Sequence, residues 1–267
     1  MAIESVDNYM RAFKQVVGIN KLTARTTIAA GWFSMFDISG SVSVSGGLSS
    51  SLNTASGVVP IDTDIGYPTL IAFSASALGY VTRVEAGNTV AGRIWVYDRL
   101  FVAGAYPFTV NKTLVSQPEY TASRIFNNDY TATEIWVEGV TTFTGNLSIK
   151  IDYINQAGIT GRTTGNFATG IAPTVGRCIP IPLQAGDIGV RGITAISSSV
   201  ATVGTYNVMV LRKLWQGRVT IANDVVVHDL IRTGMPRVAE TVALYPLIQA
   251  DSTSTGLPTL YVEIANG

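Results

Sequence analysis

The only histidine sits beside an acid, as His228-Asp229, and this dipeptide is the closest the chain comes to a base with its orienting carboxylate. Acid–base chemistry needs both side chains within hydrogen-bond reach. Neighbours on a strand face opposite sides, so only a bend would let this pair work together. No G-x-S-x-G stretch supplies a nucleophile elbow. Glu134 and Glu138 are the same-strand acids to weigh, because two carboxylates about 5–9 Å apart across a cleft hydrolyse glycosides. On one strand they serve equally well as charges that discourage edge association.

A single cysteine, Cys178, forms no internal disulfide, and with one histidine it builds no zinc site. DTDIG (62–66) and NND (127–129) gather oxygen ligands but lack the spacing of a calcium loop. They read as turns, with weak cation binding as the alternative. SVSVSGGLSS has glycines without the Lys-Ser/Thr end of a phosphate loop. The sequons NKT (111–113) and NLS (146–148) read as chance matches, since MAIESVDNYMRAFKQ lacks the pattern of a secretory signal. The expectation is a protein that is not an enzyme and holds no cofactor or metal.

The chain has 267 residues, with 18 basic and 18 acidic side chains, 13% charged residues and 47% apolar ones. Such a composition buries a sizeable core. It has no basic cluster to neutralise phosphates, which argues against direct nucleic-acid binding. No apolar run approaches the ~20 residues of a membrane-spanning helix.

The first element to position anything is an expected helix. Val6, Met10, Phe13 and Val17 fall on one stripe of a 3.6-residue period, with Ser5 as N-cap and Gly18 as stop. That stripe needs a partner surface, either its own domain or a neighbouring subunit. Trp32, Phe33, Met35 and Phe36 crowd together next, before the Ser/Gly-rich stretch 39–57. Residues 1–57 therefore read as a helix and pliable arm with an apolar anchor, and these eight side chains as its anchor candidates. Trp95, Trp136 and Trp215 lie in strand-like segments and read as core.

Beyond residue 58 the sequence partly repeats. GNLSIKIDYIN (145–155) returns as GLPTLYVEIAN (256–266), a shift of 256 − 145 = 111. GYPTLIAFSASALG (66–79) aligns with GRCIPIPLQAGDIG (176–189), and RIWVYDRLF (93–101) with NVMVLRKLW (207–215). Three matches in one order point to a tandem duplication. β-branched and aromatic residues alternate with polar ones, as in Leu147, Ile149, Ile151 and Tyr153 against Ser148, Lys150 and Asp152. The expected fold is all-β, with two tandem related antiparallel β-sandwich, jelly-roll-like domains at 58–165 and 166–267 and a seam near 161–170.

YDRLFVAGAY (97–106), LIRTGMPRVAETVALYPLIQADSTSTG (230–256) and the terminal YVEIANG resemble structural proteins of tailed-bacteriophage virions, most nearly capsid-associated decoration or minor capsid proteins. The resemblance covers most of the chain and carries no site residue. It implies a virion protein assembled in the host cytoplasm, touching the major capsid or other virion proteins. It also implies a homo-oligomer, with a trimer favoured because two lobes per chain would make a six-lobed ring. The competing reading is a receptor- or glycan-binding module on a tail or fibre.

Overall fold

The computed structural model describes residues 3, 5–41, 54–73, 78–117, 120, 124–146, 148–169, 172–198 and 203–267. Most of the expected arm, 42–53, lies outside them. A short helix α1 (Val6–Arg11) leads into β1 (Phe13–Asn20), β2 (Trp32–Ser34), β3 (Gly79–Asn88) and the long β4 (Gly92–Pro107). Then come β5 (Lys112–Thr113), β6 (Thr133–Gly139), β7 (Ser148–Asn155), β8 (Arg162–Thr163), β9 (Phe167–Ala168) and β10 (Arg177–Ile181). The chain continues through β11 (Val190–Ser198), the long β12 (Thr205–Val219), β13 (Asp224–His228) and a second short helix, α2 (Leu230–Thr233). It closes with β14 (Arg237–Val238), β15 (Leu244–Ala250) and β16 (Thr259–Asn266). The all-β class is as the alternation required, and the ladders described below are antiparallel.

The chain folds into two compact units, and neither is a continuous half. Unit 1 takes residues 1–46, 61–98 and 214–267, and unit 2 takes 47–60 and 99–213. The divisions fall inside β4 and β12, so each of those strands contributes to both units. The expected seam at 161–170 is corrected by backbone hydrogen bonding. β8 and β9 lie in that stretch, and both pair with β7 in unit 2. Likewise the terminal strand β16 pairs with β1 and β3, near the other end of the sequence.

In unit 1 one sheet runs β1-β16-β3-β13, and β15 pairs with β2 on one side and β4 on the other. Val17, Ile19, Val84, Val262, Ile264 and Ile248 are among the side chains of its buried core. Unit 2 repeats the plan. One sheet runs β5-β11-β7-β8, and β6 pairs with β10 and β12. Its separate core includes Ile149, Ile151, Tyr153, Val208 and Val210. Fully burying each such aliphatic side chain is worth about 1.5–3 kcal/mol, so each unit has its own hydrophobic driving force.

The expected helix over 6–17 is shorter than the stripe suggested. Ser5 does cap it, accepting a hydrogen bond from the Asn8 amide at 3.1 Å, but the helix ends at Arg11. From Phe13 the chain is strand, with Gln15, Val17 and Ile19 facing inward and Val16 outward. Gln15 is polar yet belongs to the inner face, because its side chain substitutes for a missing strand. Its Oε1 accepts from the Ile71 amide at 2.8 Å, and its Nε2 donates to the Ile71 carbonyl at 3.0 Å.

Candidate functional site

The residues considered first for chemistry are committed to holding unit structure. Trp215 Nε1–H donates to His228 Nδ1 at 3.0 Å, tying β12 to β13 and leaving Nε2 as the protonated nitrogen of the neutral ring. Burial pushes the His228 pKa down, helped by Arg232, while Asp229 pulls it up. Asp229 itself caps α2, accepting from the Ile231 and Arg232 amides.

The two acids of β6 have separate duties. Glu134 Oε1 lies 3.4 Å from Lys213 Nζ, and Glu134 Oε2 accepts from Trp136 Nε1 at 2.8 Å. Glu138 is buried, with its Oε2 accepting from Arg99 Nη2 at 3.2 Å and from Asn207 Nδ2 at 2.9 Å. Arg99 is held in turn through its carbonyl, which accepts from Arg124 Nη2 at 2.9 Å. Asp62 and Asp64 accept backbone hydrogen bonds from Leu70 and Ile61, and Asp129 accepts from Thr131, which is turn chemistry. Among the described residues no cluster of three or more His, Cys, Asp or Glu side chains could hold a metal.

One polar knot escaped the sequence reading. Asp187 Oδ1 and Oδ2 accept a bidentate pair from Arg162 Nη2 and Nε, at 3.0 and 2.8 Å. Tyr153 and Asn155 donate to the same carboxylate at 2.6 and 2.8 Å. Arg162, then the two neutral donors, hold the Asp187 pKa down to about 2 against the opposing effect of burial. The knot joins β7, β8 and the turn before β11. Its one sequence signal is the Asp/Gly turn QAGDIG.

The anchor candidates separate into two sets. Val6, Met10 and Phe13 are exposed, at 70%, 69% and 47%, whereas Val17 is buried under its own sheet. Trp32, Phe33, Met35 and Phe36, the other anchor candidates, are all buried within unit 1. β2 carries the first two into the ladder with β15. The Trp32 and Trp95 rings lie 4.0 Å apart, and Phe36 packs edge-on against Tyr67 and Tyr245 at 5.2 and 5.3 Å. Such a dense aromatic run was visible in sequence; that its partners lie at Tyr67, Trp95 and Tyr245 was not.

A set of exposed apolar side chains in unit 1 forms the candidate site. Alongside Val6, Met10 and Phe13, the outward positions of its sheet present Val16, Val225 and Val227. Tyr261 lies among them, its Oη accepting from Asn20 Nδ2 at 3.1 Å, with Arg83 and Glu85 paired at 2.9 Å nearby on β3. α1 is fastened to this face where Tyr9 Oη–H donates to Glu263 Oε1 at 3.0 Å. A surface mixing aliphatic side chains with internally neutralised charges suits protein association more than chemistry. A cleft of about 320 Å³ elsewhere in unit 1 is lined by Arg93, Trp95, Gln216, Arg218 and His228.

No family model and no curated protein matches the chain. Among solved structures it is similar to the crystal structure of an infectious bursal disease virus VP2 subviral particle, at 10% identity over 96% of this chain and 80% of that one, with a TM-score of 0.23. Structures of the Gx and Gt strains of that virus follow at 10% and 9% identity, each over 95% of this chain, 80% and 81% of theirs, with TM-scores of 0.18 and 0.17. Likenesses at these scores carry no argument about fold or role. The all-β class rests on the chain's own ladders.

Proposed function

We propose that this chain is a non-enzymatic structural subunit of a virus particle, a decoration or minor capsid protein that works by touching other subunits. The observation that carries this is the exposed apolar set Val6, Met10, Phe13, Val16, Val225 and Val227, all in one unit. It is the surface a self-associating protein needs, and the resemblance to tailed-phage virion proteins gives it a setting. The homo-oligomer is a trimer, with two related lobes per chain. Native mass measurement at micromolar concentration tests the association. A trimer is the expected result, and a stable monomer that also fails to join particles overturns the proposal.

The cleft beside Trp95 favours a second reading, a glycan-binding module of a tail or fibre. A tryptophan face and guanidinium donors are what a sugar ring with an acidic substituent would engage. A glycan array separates the two, since a decoration protein binds no sugar there and a receptor module does.

A further inference from the structure

The ladders of the two units correspond pair by pair. In unit 1, β4 and β15 pair from Gly92↔Ala250 to Asp98↔Leu244. In unit 2, β12 and β6 pair from Tyr206↔Gly139 to Arg212↔Thr133. A shift of 114 on the first strand (206 − 92 = 114) and 111 on the second (250 − 139 = 111) converts every pair of one ladder into a pair of the other. These are the shifts at which RIWVYDRLF and GNLSIKIDYIN repeat in the sequence.

At each neighbouring ladder the shift of 111 recurs, to within one residue, on at least one of the two strands. β15 pairs with β2 through Ile248↔Phe33, and β6 with β10 through Val137↔Ile179, where 248 − 137 = 111. β16 pairs with β3 through Asn266↔Gly79, and β7 with β11 through Asn155↔Val190, where 266 − 155 = 111 and 190 − 79 = 111. Beyond that end β11 has two register shifts and β3 one, so the two ladders then differ by one residue. On the far side, β16 pairs with β1 through Glu263↔Val16, and β7 with β8 through Asp152↔Thr163, where 263 − 152 = 111. At the remaining edges β3 pairs with β13 through Val84↔His228, and β11 with β5 through Ile196↔Lys112, where 196 − 84 = 112 carries the same one-residue offset.

Each of these ladders joins a strand before residue 156 to a strand after residue 161. From this we infer that the chain is two copies of one ancestral sequence, 13–155 and 162–266, that have exchanged strands. The first copy gives β1, β2, β3 and the start of β4 to unit 1, and the rest of β4 with β5, β6 and β7 to unit 2. The second copy does the reverse, crossing through β12. The molecule is the covalent form of a strand-exchanged dimer, and the partner each copy is shaped to take is a second copy of itself.

This placement revises which segments correspond. β2 occupies in unit 1 the position that β10 holds in unit 2, so 176–189 answers the aromatic stretch near 32 rather than 66–79. Residues 35–78, between β2 and β3, are then an insertion where the second copy has only 182–189 between β10 and β11.

A nicked full-length chain tests the exchange. A site-specific protease sequence inserted between Thr160 and Gly161, in the exposed turn joining the copies, allows cleavage after folding. The two fragments are expected to co-elute at the mass of the intact chain, to separate in denaturant, and to regain the native spectrum only when refolded together. Two pieces that part under native conditions and stay folded overturn it. Equivalence of the copies is tested by exchanging residues 148–155 and 259–266 within the intact chain. The in-register exchange should melt well above one displaced by a single residue, which turns the buried face outward. If the two melt together, the copies are not equivalent.

Discussion

Glu138 shows at the residue scale why candidate catalytic acids need their surroundings. A carboxylate buried against Arg99 and Asn207 is anchored by a cation and an amide, and it stabilises unit 2 only while both charges are present. Replacing one partner of a buried pair costs about 3–5 kcal/mol, whereas replacing both with apolar residues of similar volume costs far less. Glu138→Gln should therefore lower the urea midpoint more than the double change Arg99→Met with Glu138→Leu. His228 gives a second prediction, because it is the chain's only histidine. Its pKa is depressed by burial and by Arg232, so the folded protein favours the neutral ring. The stabilisation is complete above the ordinary value of 6.5 and is lost as pH falls below it towards the folded pKa. Protonation of Nδ1 also removes the acceptor for the Trp215 indole. The indole N–H resonance of Trp215 should shift and broaden as pH is lowered from 7 to 5, and His228→Gln should flatten the stability–pH slope over that range.

At the scale of elements, alternation made the strands legible and the helix–strand boundary was where it failed. Ile149, Ile151 and Tyr153 announce β7 because these inward apolar positions alternate with the outward polar Lys150 and Asp152. β1 hides the same signal, since Gln15 occupies an inward position and Val16 an outward one, leaving Phe13 and Val17 four apart as on a helix. Which strands pair was not legible for a different reason. When two copies are alike, β3 could meet β16 or β7 with similar inward side chains, and no local pattern tells one partner from the other. The candidate site was read in part: Val6, Met10 and Phe13 are exposed, but the aromatic run was needed for the core. This matters for truncation. Removing residues 1–12 takes away α1 and little buried area. Removing 1–20 also takes Val17 and Ile19 and bares one edge of β16. The first deletion should leave the denaturation midpoint almost unchanged, and the second should cost about 3–6 kcal/mol from those two side chains alone.

The exchange of strands has its main consequence for the whole molecule, in how it unfolds. Two domains in series can melt one at a time, each with its own midpoint. Here β4 and β12 each supply a strand to both units, and each unit is incomplete without both halves of the sequence. Losing order in unit 2 therefore releases the strands that continue into unit 1, so the expected transition is single. A perturbation confined to unit 2 makes the test sharp. Gly104 is packed so closely that an added Cβ would lie 2.0 Å from Asn207 Oδ1 and 2.8 Å from the Tyr206 carbonyl oxygen. Gly104→Ala forces that backbone apart and should cost about 1–3 kcal/mol. Hydrogen exchange of the slowest amides reports each unit separately, through β7 and β11 for unit 2 and β3 and β16 for unit 1. A shared transition accelerates both sets by the same factor, about tenfold for each 1.4 kcal/mol lost. Acceleration restricted to β7 and β11 would mean that the two long strands bend without transmitting the loss, and that the units unfold separately despite their common strands.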